Sequence, residues 1–172
     1  MSTSSSSDTL KIDFGIGKNG QNWRTVNDGV MGGLSRGVLK YEKDFVHYEG
    51  KISLDNNGGF SSFRSPYQNF DLSEYKSLKL RYRLKGMDFA FTMALDQRFY
   101  MPNFKQDVPN TDFKWNTIEL PIDNFKKHRM GYKIGGSPST KELDRVIRIG
   151  FISNEKREAP FEFEIDYIEF KK

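Results

Sequence analysis

The end of the chain alternates strictly: Phe161, Phe163, Ile165 and Tyr167 occupy one parity, and Glu162, Glu164 and Asp166 the other. A period of two belongs to a strand with one face in a core and one in water. The phase then slips to Ile168 and Phe170, which predicts a β-bulge inside one long strand. Leu78, Leu80, Tyr82 and Leu84 alternate with Lys79, Arg81, Arg83 and Lys85, so a half-buried strand with a cationic outer face is expected there. Phe89, Phe91, Met93 and Leu95 alternate with Ala90, Thr92 and Ala94. Both parities are apolar or small, which predicts a strand covered on both faces.

Further strands are expected over residues 10–14, 37–41, 45–52, 60–64, 115–120 and 146–152, with Pro121 stopping the fifth of these. Helical signal is weak: residues 71–75 support at most one turn, and 139–145 another. About nine or ten short strands in a chain of 172 residues predict an all-β antiparallel β-sandwich, most simply a jelly roll. No linker, repeat or composition shift divides the chain, so one domain over residues 10–172 is expected, after a short disordered tail or the scar of a removed leader over 1–9. The long irregular stretches 97–111 and 125–141 are expected to be loops carrying binding surfaces.

Composition narrows the function classes. Fifteen Phe and eight Tyr, within an aromatic content of 15%, supply ample core for a chain this long. The absence of cysteine excludes disulfides, thiolate chemistry and Cys-based zinc sites, but fits either a cytoplasmic or an exported bacterial protein. The cytoplasm is slightly favoured, with export open if a leader was removed. No apolar run is long enough for a membrane helix, and the start has neither the basic nor the apolar region of a signal peptide. The net charge of +4 is interspersed rather than clustered, which argues against a nucleic-acid partner.

Two glycine-rich blocks do not read as scaffold. The first runs Trp23-Arg-Thr-Val-Asn27-Asp28-Gly29-Val-Met31-Gly32-Gly33-Leu-Ser35-Arg-Gly37, the second Asp55-Asn56-Asn57-Gly58-Gly59-Phe60-Ser61-Ser62-Phe63-Arg64. Neither fits a nucleotide fingerprint: the first has no G-x-G-x-x-G and no Gly-Lys-Ser/Thr. The left-handed residues of Asn56–Gly59 are expected to close a hairpin between the strands at 45–52 and 60–64. His47 and His128 stand apart with no ligand at metal spacing, and the serines lack a strained elbow. A calcium site would draw on Asp28 and Asp55, without an Asp-x-Asp-x-Asp run to support it. Glu162, Glu164 and Asp166 are expected on one solvated acidic face rather than as the carboxylate pair of a glycosidase. No metal, cofactor or catalytic residue is therefore expected.

What remains are binding candidates: Trp23, Asn27, Asp28, Met31, Arg64, Phe99 and Tyr100, with Tyr67 and Phe104 nearby in predicted loops. Loop aromatics either stack on a ligand or plug the open ends of the sandwich. Arg64 either clamps a ligand or pairs with Asp28. Gly29, Gly32, Gly33, Ser35, Gly37, Asn56, Asn57, Gly58 and Gly59 are expected to form a structural knot, with Trp23 and Met31 packed on the sandwich and Asn27 and Asp28 bonding turn backbone.

The two blocks together resemble the signature of the CIA30 family, named after the mitochondrial complex I intermediate-associated protein 30. The segments Asp144-Arg-Val-Ile-Arg-Ile-Gly-Phe151 and Phe161-Glu-Phe-Glu-Ile-Asp166-Tyr-Ile resemble the family's closing strands. The resemblance implies a galactose-binding-domain-like β-sandwich and a non-enzymatic assembly factor or chaperone for NADH:ubiquinone oxidoreductase. It brings no catalytic residues. Without a mitochondrial presequence, the chain looks like a stand-alone bacterial-type member. A protein partner, such as a respiratory-complex assembly intermediate, is expected first, and a carbohydrate-binding module of galactose-binding-like fold is the alternative.

Overall fold

The computed structural model describes residues 9–27, 34–55 and 59–172. Among these, thirteen strands pair antiparallel into two sheets that face each other as a β-sandwich. The first sheet has the order β3 (Arg36–Tyr41), β4 (Val46–Ile52), β13 (Ala159–Lys171), β6 (Ser77–Lys85) and β9 (Asn116–Pro121). β1 (Thr9–Asp13) pairs with the end of β13 beyond β4. The second sheet runs β11 (Tyr132–Lys133), β10 (Lys126–Arg129), β8 (Asn103–Val108), β7 (Phe89–Ala94), β12 (Arg148–Ser153), β5 (Ser61–Arg64) and β2 (Arg24–Asn27). A single helical turn, α1 (Thr140–Asp144), is held by a capping box: the Glu142 amide donates to Ser139 Oγ, and Glu142 Oε1 accepts from the Ser139 amide. No helix among the described residues is long and apolar enough to cross a membrane.

The inward parity of each strand meets the other sheet in an aromatic core. Phe63 of β5 and Phe151 of β12 stack at 5.0 Å, and Phe163 of β13 sets its edge on Phe151 at 5.2 Å and on Phe89 at 5.0 Å. Tyr48 stands between Phe63 and Phe161 at 4.8 and 4.9 Å. All six rings are buried, and edge-to-face pairs add to the stabilisation from their area alone. The slipped phase of β13 is visible in its pairing with β6, whose register shifts between Ile165 and Tyr167.

Three features differ from the sequence reading. β4 and β5 form no hairpin: β4 is already paired on both edges, to β3 and β13, so β5 joins the second sheet between β12 and β2. The connection between them therefore crosses from one sheet to the other. Both stretches expected as irregular contain strands, β8 in the first and β10 with β11 in the second. These strands bury few side chains, Phe104 and Val108 in β8 and none fully in β10, so polar residues hide their period. β2 likewise lies inside the first glycine-rich block. β7 buries Phe89, Phe91 and Met93 in the core; on its other face Ala90 is buried as well, but Thr92 and Ala94 are only half-buried and line a surface recess.

The outer face of the first sheet is also not a plain acidic surface. Glu164 is only 5% exposed. It pairs with both Arg83 and His47, the latter at 2.7 Å, while His47 reaches Glu49 at 3.3 Å. Asp166 accepts from Arg81 at 3.0 Å, and Glu162 faces Lys85 at 3.7 Å. Antiparallel register places the carboxylates of β13 opposite the cations of β6. The Arg81 and Arg83 guanidiniums lie 4.6 and 4.9 Å from the Trp115 ring, and Arg83 lies 4.3 Å from Phe113. Along β6 and β13, Arg81, Arg83 and Lys85 each have a carboxylate partner within the fold.

Two measurements follow from this architecture. Phe163→Ala leaves a cavity among four rings and is expected to lower unfolding free energy by about 3–5 kcal/mol in denaturant titration; a loss below about 1 kcal/mol would contradict the packing described. At His47, burial opposes the charged form, but the bonds and charges of Glu164 and Glu49 outweigh it and hold the pKa above its ordinary value. A raised folded-state pKa stabilises fully below the unfolded value and fades as pH rises through the folded one. Wild type should therefore lose stability relative to His47→Gln as pH climbs above roughly 6.5; parallel stability curves would rule this out.

Candidate functional site

The described parts of the glycine-rich blocks are built into the sandwich. The Trp23 ring is buried, 5.0 Å from Phe14 and 5.6 Å from Phe63. Asn27 Oδ1 accepts from Ser61 Oγ, which also bonds the Tyr48 hydroxyl, and Asn27 Nδ2 donates to Gly37 O at 3.4 Å. A Cβ on Gly37 would lie 2.6 Å from the Tyr48 ring, so this polar chain leaves room only for glycine. Ser35 Oγ accepts from the Ser53 amide at 2.9 Å and donates to Ser53 O at 3.1 Å. Gly59 has a φ of +146°, favouring glycine. Asp28, Gly29, Met31, Gly32, Gly33, Asn56, Asn57 and Gly58 lie outside the described residues, and with them any Arg64–Asp28 pair. Of the metal candidates, Asp55 is exposed, its amide donating to Ser53 Oγ at 3.3 Å. Among the described residues no group of three or more His, Cys, Asp or Glu is placed to hold a metal ion.

Arg64, the last residue of β5, points the opposite way from Phe63, out of the core. It enters a recess of about 100 Å³ on the outer face of the second sheet, lined also by Thr92, Ala94, Asn103, Lys105 and Arg148. These residues come from β5, β7, β8 and β12, and cross-strand register brings them together: Arg64 is opposite Gly150, Gly150 opposite Thr92, and Thr92 opposite Lys105. A Cβ on Gly150 would lie 3.0 Å from Arg64 Cγ, so glycine there lets the arginine stem lie across the sheet.

The cations are held from behind. Arg64 Nε donates to Ser62 Oγ at 3.1 Å. Arg148 Nε donates to Ser65 O at 2.8 Å, its Nη1 to the Tyr67 hydroxyl at 3.0 Å, and its guanidinium lies 4.4 Å from the Tyr67 ring centroid. Lys105 Nζ donates to Asn154 Oδ1 at 3.1 Å, and Asn154 in turn donates to Asp107 at 2.9 Å, which keeps that carboxylate one side chain away. Burial, and then the charge of Arg148, hold the Arg64 pKa below its ordinary value; burial lowers that of Lys105 against the pull of Asp107. Among the described residues no carboxylate forms an ion pair with Arg64, Arg148 or Lys105. A larger hollow of about 550 Å³ lies on the first sheet among Arg36, Val38, Glu49, Lys51, Lys85 and Glu162. Cations and carboxylates are mixed there, with Lys85 already facing Glu162, so it presents no convergent charge.

Two segments that run up to the recess-lining residues Asn103 and Gly131 carry exposed apolar side chains. Phe99 and Tyr100, between β7 and β8, form an edge-to-face pair at 5.6 Å, and Phe99 is 69% exposed. Arg129 Nε donates to Tyr100 O at 3.1 Å, tying this segment to the β10–β11 hairpin. That hairpin exposes Met130 (59%) and Tyr132 (76%), with Ile134 just beyond, and its Gly131 lines the recess. Of the loop aromatics expected at a ligand surface, Phe99, Tyr100 and Tyr67 are exposed, whereas Trp23 and Phe104 are buried in the core. Sequence reasoning passed over Arg148, Lys105, Met130 and Tyr132. Arg148 and Gly150 alternate with Ile149 and Phe151, a period that would have placed Arg148 outside. Lys105 lies in β8, within a stretch whose polar residues hide the period of a strand.

Comparisons with known proteins agree with this architecture. The family model described as Complex I intermediate-associated protein 30 (CIA30) matches residues 12–165. Among solved structures, the family 11 carbohydrate-binding module of the cellulosomal cellulase Lic26A-Cel5E of Clostridium thermocellum superposes with a TM-score of 0.72 at 16% identity, over 95% of this chain and 94% of that one. A family 11 module from the same organism, in complex with a β-1,3-1,4-mixed-linked tetrasaccharide, gives 0.67 at 14% identity, over 94% and 95% of the two chains. The agarase AgWH50C gives 0.60 at 9% identity over 93% of this chain and 25% of its own length. At such identities these likenesses show a shared β-sandwich fold. The family match spans nearly the whole chain, and the chain belongs to the CIA30 family.

Proposed function

We propose that this chain is a non-catalytic interaction module that grips a partner protein at the outer face of its second sheet. The observation that carries this reading is the pair of tied segments displaying Phe99, Tyr100, Met130, Tyr132 and Ile134 beside a basic recess. Contiguous exposed apolar side chains mark interaction surfaces, and aromatic residues, Met and Arg are enriched in protein interfaces. Sugars stack on aromatic rings, but Met130 and Ile134 offer them little, so the mixture favours a protein. The family's description supports a partner among assembly intermediates of respiratory complex I.

A triple variant, Phe99→Ser with Met130→Ser and Tyr132→Ser, changes only exposed side chains and is expected to keep the wild-type melting point within a few degrees. Its recovery of assembly intermediates from extracts of the source organism should fall at least about tenfold. Unchanged recovery would remove this surface from the account. Normal complex I assembly and NADH dehydrogenase activity after gene deletion would remove the assembly partner.

A second reading, a carbohydrate-binding module, is supported by the fold shared with a module solved with a mixed-linked tetrasaccharide and by Tyr67 at the recess. Absence of heat on titrating mixed-linked β-glucan oligosaccharides at millimolar concentration would end it.

A further inference from the structure

The charge of the recess goes beyond a general docking surface. Arg64, Arg148 and Lys105 converge on one hollow from three strands; among the described residues none of them is ion-paired to a carboxylate, and Asp107 is bonded to Asn154, the residue that accepts from Lys105. Like charges brought together without a counter-charge destabilise a fold unless something else occupies the site. β6 of the first sheet shows the alternative, since its Arg81, Arg83 and Lys85 each face a carboxylate of β13. The hydrogen bonds behind the recess also engage only part of each guanidinium. Arg64 uses Nε, and Arg148 uses Nε and Nη1, so the remaining terminal N–H groups of both residues, which line the hollow, make no hydrogen bond among the described residues. Two such forks suit bidentate capture of a planar oxyanion.

Size selects among oxyanions. A hollow of about 100 Å³ has room for roughly three water molecules. That suits a carboxylate group with one or two waters. The rim is apolar, so the group has to arrive on a chain that also offers hydrophobic side chains.

We propose that the recess binds a carboxylate of the partner protein, an Asp or Glu side chain or a chain terminus within an apolar segment, between the guanidiniums of Arg64 and Arg148 with Lys105 alongside. This rests on the reading of the chain as a protein-interaction module. It assigns Arg148 and Lys105 a recognition role and makes the partner's docking segment acidic as well as apolar.

The test is fluorescence anisotropy at low salt with a fluorescein-labelled hexaglutamate peptide as probe and trigalacturonate in a parallel competition arm. Arg148→Met and Lys105→Met should each weaken peptide binding at least about tenfold, the loss of one charge-assisted contact. Arg148→Lys should retain part of it, and Lys79→Met, on the other sheet, should leave it unchanged. Lys105→Met leaves Ser65 and Tyr67 untouched, so it stands even if the Arg148 variant fails to fold. Four outcomes would overturn the inference: no peptide binding by wild type, equal weakening by Lys79→Met, no weakening by Lys105→Met, or binding of trigalacturonate without the peptide. Failure here is separable from failure of the interaction reading. If Lys105→Met still recovers assembly intermediates as wild type does while the apolar triple variant does not, the docking surface stands and the carboxylate falls. If neither set of changes alters recovery, both fall.

Discussion

The contact among Phe63, Phe151 and Phe163 joins the two sheets, and the placement of other side chains follows from it. Phe163 sits on β13, the strand with which β4, β1 and β6 all pair, while Phe63 and Phe151 sit on neighbouring strands of the second sheet. With those rings inward, the alternate residues Ser62, Arg64, Gly150 and Ile152 are committed to the other side of the second sheet. The same parity puts Glu162, Glu164 and the cations of β6 on the outside of the first. A core filled by rings leaves little space for ligand, so chemistry is confined to the two outer faces and the connecting loops.

Those outer faces solve the problem of surface charge differently. On the first sheet, register matches a row of carboxylates to a row of cations, and the bulge in β13 still brings Asp166 to Arg81. Its arginines are further covered by Trp115 and Phe113. On the second sheet, three cations surround a floor of Thr92, Ala94 and Gly150 with no carboxylate among the described residues directly paired to them. Tyr67 and Ser65 hold Arg148 in place without neutralising it. The face whose charges are left open is also the face bordered by exposed aromatic and aliphatic side chains.

Much of the fold is legible in the order of residues, because alternation in β6, β7 and β13 is strong and the apolar positions are large. The bulge could be read from one slipped phase. β8 and β10 escaped because Lys105, Gln106, Lys126 and Lys127 occupy strands with few buried partners, so local polarity outweighed period. The false hairpin between β4 and β5 has a different cause: both edges of β4 are taken by segments far along the chain or before it, which no local turn signal reports. The recess was legible only at Arg64. Arg64, Thr92, Lys105 and Arg148 are spread over more than eighty positions, and only cross-strand register makes them neighbours. Within the glycine-rich blocks, the need for Gly37 comes from Tyr48 and Ser61, two residues on opposite sheets.

The central claim is that the second sheet's outer face is where this protein meets its partner. Hydrogen exchange of the protein alone and in the presence of the proposed protein partner tests that most directly, because protection maps burial onto backbone. The account predicts slowed exchange in residues 97–108, 126–136 and 64–67, with residues 79–85 and 113–119 of the first sheet unchanged. Protection centred on the first sheet, with the recess and its bordering segments exchanging as in the free protein, would contradict it.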